Sequence, residues 1–135
     1  MSSDIVGLMK KAKNTPRPTE GELELLAILW ERGQATVRDV FVEVNEHRPV
    51  VYTGVQKLMQ IMLEKGLVLR DDTERAHVYR AAIAKEETEQ RFLRELSNRF
   101  FAGSAGQLAL RALEMEQASE EDLSEIRKLI ARKRS

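Results

Sequence analysis

The sequence has no cysteine, and this absence excludes disulfide bonds, thiolate metal sites and cysteine nucleophiles. Aromatic residues are also scarce, at 5% of the chain, so Leu, Val, Ile and Ala must supply most of the buried surface. This composition favours packed helices over a β-sandwich. No apolar run approaches the ~20 residues of a membrane span, and the N-terminus lacks the apolar stretch of a secretion signal. We therefore expect a cytoplasmic protein that does not insert into a membrane.

The net charge of the chain is also zero. The 22 basic and 22 acidic side chains balance, so a general affinity for polyanions is excluded and any nucleic-acid surface must be local. What the chain does contain is 42% apolar and 33% charged residues, which is typical of a folded domain. Its 135 residues are enough for one small domain with an accessory segment, but not for two full-sized cores.

The first half of the chain carries three helical patterns, over Thr19–Gly33, Thr36–Pro49 and Tyr52–Gly66. The first two open with a Thr that is followed three residues later by Glu or Asp, which is the spacing of a capping box. Gly or Pro closes each segment, and apolar residues recur every three or four positions between these limits. We predict three amphipathic helices, the first with an apolar stripe formed by Leu23, Leu26, Ala27 and Trp30.

The pattern then changes to that of a short hairpin. Two runs with strand-like alternation, Leu67–Arg70 and Ala76–Arg80, flank a polar tip at Asp71–Arg75. Three helices followed by a hairpin is the element order of a winged helix-turn-helix, in which the third helix enters the major groove of DNA. We therefore predict a winged-helix DNA-binding domain over residues 19–82.

The third predicted helix has a polar face whose chemistry suits contact with DNA. Its amide, hydroxyl and ammonium groups can bond base edges and phosphates, and they belong to Thr53, Gln56, Lys57 and Gln60. An ordinary solvated face is the alternative, but the segment Thr53–Leu63 contains no acid, which favours DNA. Arg38 on the second helix and Arg75 in the hairpin tip are the other candidate DNA-binding residues, although three acids in that tip would repel phosphate.

Residues 83–135 return to helical patterns, with a break at Gly103-Ser104 and a new start at Ser119. They carry more Leu, Phe and Ile than short helices of a monomer could cover, so we predict a helical dimerisation region and a homodimer. Folding of these helices back onto the N-terminal module is the alternative. The candidate dimerisation residues are Phe92, Leu96, Phe100, Leu108, Leu113, Leu123, Ile126, Leu129 and Ile130.

The N-terminal residues 1–18 differ in composition from the rest. They carry four basic side chains against one acid, namely Lys10, Lys11, Lys13 and Arg17 against Asp4. We predict a flexible basic arm, which either adds phosphate contacts or is an ordinary disordered terminus. The complete prediction is a mainly α protein with a small β-hairpin, built from this arm, a winged helix-turn-helix at 19–82 and a helical dimerisation region at 83–135.

Six segments between about residues 17 and 132 form a specific combination, namely Pro18–Trp30, Ala35–Val40, Tyr52–Val55, Leu63–Val68, Arg75–Tyr79 and Ser119–Ile130. Together they resemble the penicillinase-repressor (BlaI/MecI) family of bacterial winged-helix regulators. The resemblance implies a homodimeric repressor whose winged helices bind an inverted-repeat operator in double-stranded DNA and whose C-terminal helices form the dimer. It further implies control of resistance genes, and release through a membrane sensor protease whose signal leads to cleavage of the repressor.

The sequence departs from the family pattern in three respects. The Asn-Phe pair at which antibiotic-responsive relatives are cut aligns here with Arg111-Ala112. Gly54 and Ile61 stand where many relatives have Thr and Arg, so the operator sequence cannot be carried over. The copper-responsive branch ends in Cys motifs, and a chain without Cys cannot sense copper by that route.

Two other function classes stay open on the sequence. A winged-helix dimer could sense a small molecule in a pocket between its domains, or the module could bind a protein through its C-terminal helices. An enzyme is not expected, because Ser, His and Asp are scattered without a nucleophile motif or a phosphate-binding loop. His47 and His77 are too few and too isolated for a metal site, so no cofactor is expected.

Overall fold

A computed structural model describes residues 15–135, so positions 1–14 of the predicted basic arm lie outside the described residues. The chain divides between Thr88 and Glu89 into two compact units, which we call the winged unit and the C-terminal unit. Helices and strands in chain order are α1 Glu20–Arg32, β1 Ala35–Thr36, α2 Val37–His47, α3 Tyr52–Lys65, β2 Val68–Asp71, β3 Val78–Ala81, α4 Lys85–Phe100, α5 Ala105–Met115 and α6 Glu120–Arg134.

Both predicted capping boxes are present and begin the first two helices. At the start of α1, the Thr19 hydroxyl accepts the Glu22 N–H at 3.2 Å, and the Glu22 carboxylate accepts the Thr19 N–H at 2.9 Å. Thr36 and Asp39 exchange the equivalent bonds at the start of α2, at 3.1 and 3.0 Å. These bonds satisfy backbone N–H groups that the first turn of a helix leaves without partners, which is why the two helices begin where the sequence predicts.

The hairpin belongs to a three-stranded antiparallel sheet with the strand order β1-β3-β2. Val68 pairs with Ala81 across the hairpin, and Ala35 pairs with Tyr79 on the other side of β3. The sequence predicted a two-stranded ribbon, and β1 is an addition to it. Two residues are too few to show strand alternation, so β1 could not be found by periodicity. Three helices and this sheet confirm the predicted winged helix-turn-helix and the mainly α fold.

The core of the winged unit lies between its three helices and the sheet. Its almost fully buried side chains, each below 2% exposed, include Leu25, Leu26, Leu29, Val40, Met59, Met62 and Leu67. The predicted stripe of α1 was partly wrong, because Ala27 is exposed whereas Ile28 is 7% exposed. The reason is that α1 packs against α2, α3 and β3, so it buries a wider face than a single stripe supplies.

The C-terminal unit consists of most of α4, the whole of α5 and the whole of α6. Its two later helices begin at N-caps whose hydroxyls accept backbone N–H groups, Ser104 at 3.1 Å and Ser119 at 3.0 Å. The chain turns between α4 and α5 through two left-handed residues, Ala102 at φ 49° and Gly103 at φ 82°. Neither α5 nor α6 has a buried residue, so each helix leaves its apolar side chains partly or fully exposed.

Candidate nucleic-acid interface

The four candidate side chains of α3 lie on one exposed face of that helix. Thr53, Gln56, Lys57 and Gln60 are all exposed, while the opposite side of α3 buries Val55, Met59 and Met62 in the core. The structure therefore brings the four predicted residues together. The face offers one ammonium group, two carboxamides that both donate and accept hydrogen bonds, and one hydroxyl.

The two ends of this face differ in charge. No acid lies in the first turn of α3, whereas Glu64 lies near its C-terminal end, with its Oε1 atom 3.5 Å from the Gln60 amide nitrogen. Lys57 is the charged member of the four, in the middle of the face. A polyanion that meets this face is thus attracted at its centre, and the amides on either side of Lys57 can read hydrogen-bonding groups.

An aromatic contact joins the beginning of α3 to α2. The rings of Tyr52 and Phe41 meet edge to face, with centroids 5.5 Å apart and planes at 73°. Such a contact contributes about 0.5–1.5 kcal/mol beyond the burial of its area. Because α2 is the helix that precedes α3 in a helix-turn-helix, this pair orients the N-terminal turn of the candidate recognition helix.

The other end of α3 is joined to α1 by an ion pair in which the carboxylate is buried and the Lys65 side chain is 32% exposed. Lys65 Nζ lies 2.8 Å from Oε2 of Glu22, a side chain that is only 1% exposed. Burial by itself raises the pKa of the Glu22 carboxyl, but the hydrogen bonds from Lys65 and from the Thr19 amide outweigh it and hold the pKa below its usual value. Sequence reasoning assigned Glu22 to the capping box alone, and no local pattern indicates its second partner.

The wing, which is the hairpin formed by β2 and β3, carries an acidic tip, as its sequence predicts. Asp72 is 2.7 Å from Arg70 Nε and 3.6 Å from His77 Nδ1, and Asp71 Oδ1 accepts the Thr73 N–H at 2.9 Å. That backbone bond lowers the pKa of the Asp71 carboxyl, so Asp71 stays ionised. Arg75 is exposed at the same tip, among carboxylates that oppose its contact with phosphate.

Arg38 and Arg75 are exposed but do not join the four residues of α3 on one helix face. Arg38 lies in the first turn of α2, and Arg75 lies between β2 and β3. Both positions are on elements that border the recognition helix in a winged helix-turn-helix, where phosphate contacts are usual. They therefore stay candidates for contacts with the DNA backbone.

All nine candidate dimerisation residues retain exposed surface in the C-terminal unit. Phe100 is 69% exposed and Ile130 is 50% exposed, with the others either exposed or half-buried. Sequence reasoning omitted three further exposed apolar side chains of this unit, Leu93, Leu110 and Met115. Their helical spacing was visible in the sequence, but the exposure that makes them candidates required the structure.

Residues 15–135 contain neither a membrane-spanning helix nor a cluster of metal-binding side chains. No helix in that part of the chain is both long and apolar enough to cross a membrane. No group of three or more His, Asp or Glu side chains in the same range is arranged to hold a metal ion.

Comparison with known proteins gives a consistent result. A family model described as "Penicillinase repressor" matches residues 18–132. The penicillinase repressor of Bacillus licheniformis is 22% identical over 118 residues, which cover 87% of this chain and 92% of that protein. The methicillin resistance regulatory protein MecI of Mammaliicoccus sciuri is 19% identical over 115 residues, and that of Staphylococcus aureus strain N315 is 18% identical. Each of these two matches covers 85% of this chain and 94% of the relative.

Proposed function

The chain belongs to the penicillinase repressor family of DNA-binding transcriptional repressors, and on that premise we propose that it is a dimeric repressor of an inverted-repeat operator. The family consists of repressors rather than enzymes, which supports a role without catalysis. The names of the relatives refer to penicillinase and to methicillin resistance. We accordingly propose that the regulated genes serve resistance or a related stress response.

The exposed polar face of α3 is the observation that carries this proposal. In our proposal, Gln56 and Gln60 bond base edges in the major groove, because a carboxamide can pair with two atoms of one base. Lys57 contributes a cation and Thr53 a hydroxyl at the same surface. Arg38 and Arg75 contact phosphates on either side and add affinity without reading sequence.

The exposed apolar side chains of α4, α5 and α6 support the dimer. An exposed apolar surface of this kind, with Phe100 69% exposed and Leu129 44% exposed, is typical of a face that pairs with another chain. A two-fold dimer of winged helices presents two recognition helices about one turn of DNA apart, or a multiple of it. Such a dimer reads an inverted repeat, because each protomer meets the same half-site in opposite orientation.

Selection of bound sequences from random DNA tests the proposal directly. The full chain should enrich an inverted repeat, and nuclease footprinting on the DNA upstream of its own gene should protect a matching site. Sedimentation at the concentrations used for binding should show a dimer. Enrichment of no sequence, or of a single unrepeated half-site by a monomer, would contradict the proposal.

A regulator that senses a small molecule is the second candidate, and one observation favours it. An open, mainly apolar groove of about 480 Å³ lies beside the first turn of α3 and is lined by Leu25, Val44, Arg48, Pro49, Val50, Val51, Gly54, Val55 and Leu58. Small-molecule sites have volumes of this order. A compound bound here would touch the helix that carries the DNA-binding face. Loss of operator binding on addition of a compound, reversed by removing it, would support this candidate.

A further inference from the structure

Glu22 is the one charged side chain in residues 15–135 that is almost fully withdrawn from water. A capping carboxylate at the start of a helix is normally solvated, so its burial calls for a second role. Its two oxygens have different partners. One accepts the backbone N–H of Thr19 at the start of α1, and the other lies 2.8 Å from Lys65 Nζ at the end of α3.

The ion pair lies immediately before the wing. Lys65 is the last residue of α3, and Gly66 follows it in the left-handed conformation that ends the helix. Leu67 and Val68 are then buried, and Val68 is the first residue of β2. Strand β2 thus begins three residues after Lys65. The Leu67 carbonyl also accepts the Ala82 N–H at 2.9 Å, so the residue that follows β3 is bonded to the residue that precedes β2.

The DNA-binding face of α3 lies toward the other end of the helix. Gln56 and Gln60 precede Lys65 by nine and five residues, or about 13 and 8 Å along the axis. A rotation of about 4° at the C-terminal end of this 14-residue helix moves Gln56, about 13 Å away, by about 1 Å. Such a displacement is enough to lengthen a hydrogen bond to a base edge beyond its useful range.

We propose that Glu22 is a positioning residue for operator recognition, which sets the angle of α3 and the placement of the wing relative to α1 without touching DNA. The inference rests on the proposed DNA-binding function, and it names a structural source of the preference for the operator over random DNA. An ion pair with a buried member is a poor source of stability, and the best-attested use of such pairs is to fix one arrangement of packed elements over others. Here the arrangement is that of α3 and the wing, the two elements through which a winged helix-turn-helix contacts DNA.

The test compares binding to the selected operator with binding to random DNA. The double variant Glu22→Gln with Lys65→Met removes both charges and keeps an oxygen that accepts the Thr19 N–H. We expect it to fold and to lose about ten-fold in its preference for the operator, which is the discrimination that one base contact contributes. Glu22→Gln alone is the second variant, should the double variant fold poorly, and it should lose part of the same preference.

A matched control removes another ion pair of α1. Arg32→Met with Glu43→Gln deletes a 3.2 Å pair between α1 and α2 at the opposite end of α1, together with the 4.0 Å contact of Arg32 with Asp39, and it should leave the operator preference unchanged. Lys65→Arg keeps a cation opposite Glu22 and should retain most of the preference. Binding of both DNAs should keep its dependence on salt in every Glu22 variant, because no phosphate contact is lost.

The outcomes separate this inference from the function on which it rests. If the unmodified chain prefers no sequence, the proposed function fails before any variant is compared. If the chain prefers its operator and the Glu22 variants keep that preference in full, Glu22 is not a positioning residue. A loss that is equal on both DNAs and lowers the salt dependence would also overturn the inference, because it would show Lys65 to be a phosphate contact.

Discussion

The indole Nε1 of Trp30 donates a hydrogen bond to the backbone carbonyl of Ile83 at 2.9 Å, across 53 residues of sequence. This bond joins α1 to the segment that leaves the wing, where Ile83 is 9% exposed. Together with the pair between Glu22 and Lys65, it makes α1 the helix to which both ends of the wing are joined.

Replacement of Trp30 by Phe keeps a ring but removes the N–H donor. The Ile83 carbonyl then loses its partner in a partly buried setting, and we expect the free energy of unfolding to fall by about 1–3 kcal/mol. Urea unfolding followed by circular dichroism measures the change. Val42→Ala, at a 45% exposed position of α2, is the control and should change the stability by less than about 0.5 kcal/mol. Equal stabilities for the Trp30→Phe variant and the unmodified chain would show that water replaces the lost donor.

Alanine at Gln56 or Gln60 should weaken operator binding by about 1–3 kcal/mol and random-DNA binding by less. The reason is that a contact to a base edge is formed only at the matching sequence. Lys57→Ala should also reduce the slope of log affinity against log salt by about one, since one phosphate contact is lost. Titrations at several salt concentrations supply both quantities, and exposed Gln117 in the segment between α5 and α6 provides a matched Gln→Ala control. If all three α3 variants bind the operator as tightly as the unmodified chain does, α3 is not the recognition helix.

Removal of the C-terminal unit should abolish the dimer. A chain ended after Ala82 would lose Ile83, which accepts the Trp30 bond and is part of the core, so a shortened chain should end after Thr88, where the winged unit ends. We expect a folded monomer that binds the operator far more weakly, because two joined half-site modules raise the effective concentration of the second. Sedimentation and operator titration measure the two effects. A shortened chain that still dimerises would contradict the placement of the interface.

Lowering the pH should reduce the free energy of unfolding, because it protonates the Glu22 carboxylate. Its folded pKa lies below the ordinary value of 4.5, so the stabilisation is fully present above pH 4.5 and is lost as the pH falls through the lowered folded pKa. One such group contributes a slope of at most about 1.4 kcal/mol per pH unit. Glu24 and Asp39 also have lowered pKa values, so the measurement is the difference between the unmodified chain and Glu22→Gln. A difference that stays constant from neutral to acid pH would show that the Glu22 charge adds nothing to stability.

The family resemblance implies an Asn-Phe cleavage site in antibiotic-responsive members, and a protease matched to that site should leave this chain intact. The aligned bond is Arg111–Ala112 within α5, where Arg111 pairs with Glu114 at 2.8 Å. A pocket shaped for Phe would lose several tens of Å² of apolar burial on meeting Ala, at about 25 cal/mol per Å². We expect Arg111→Asn with Ala112→Phe to create sensitivity, and mass spectrometry of both chains after exposure to the activated protease measures it. A product of the unmodified chain that ends at Arg111 would contradict the argument from side-chain size.

Much of this fold follows from residues that are close together in the sequence. Thr19 with Glu22, and Thr36 with Asp39, are three residues apart, so their capping boxes could be recognised directly. The polar face of α3 was predicted for the same reason, because a helix turns every 3.6 residues and its exposed side is read from spacing alone. Element order then indicated the winged helix-turn-helix, and the structure confirms it.

Contacts between distant residues were decided by the tertiary structure. Strand β1 exists because Ala35 meets Tyr79 in the sheet, and nothing in a two-residue strand indicates that pairing. Ala27 fits a helical stripe in the sequence, yet it is exposed because the other elements pack on neighbouring faces of α1. The Glu22 side chain makes one contact of each kind, local and distant. Its bond to Thr19 is local and predictable, whereas its bond to Lys65, 43 residues away, forms because packing places the start of α1 beside the end of α3.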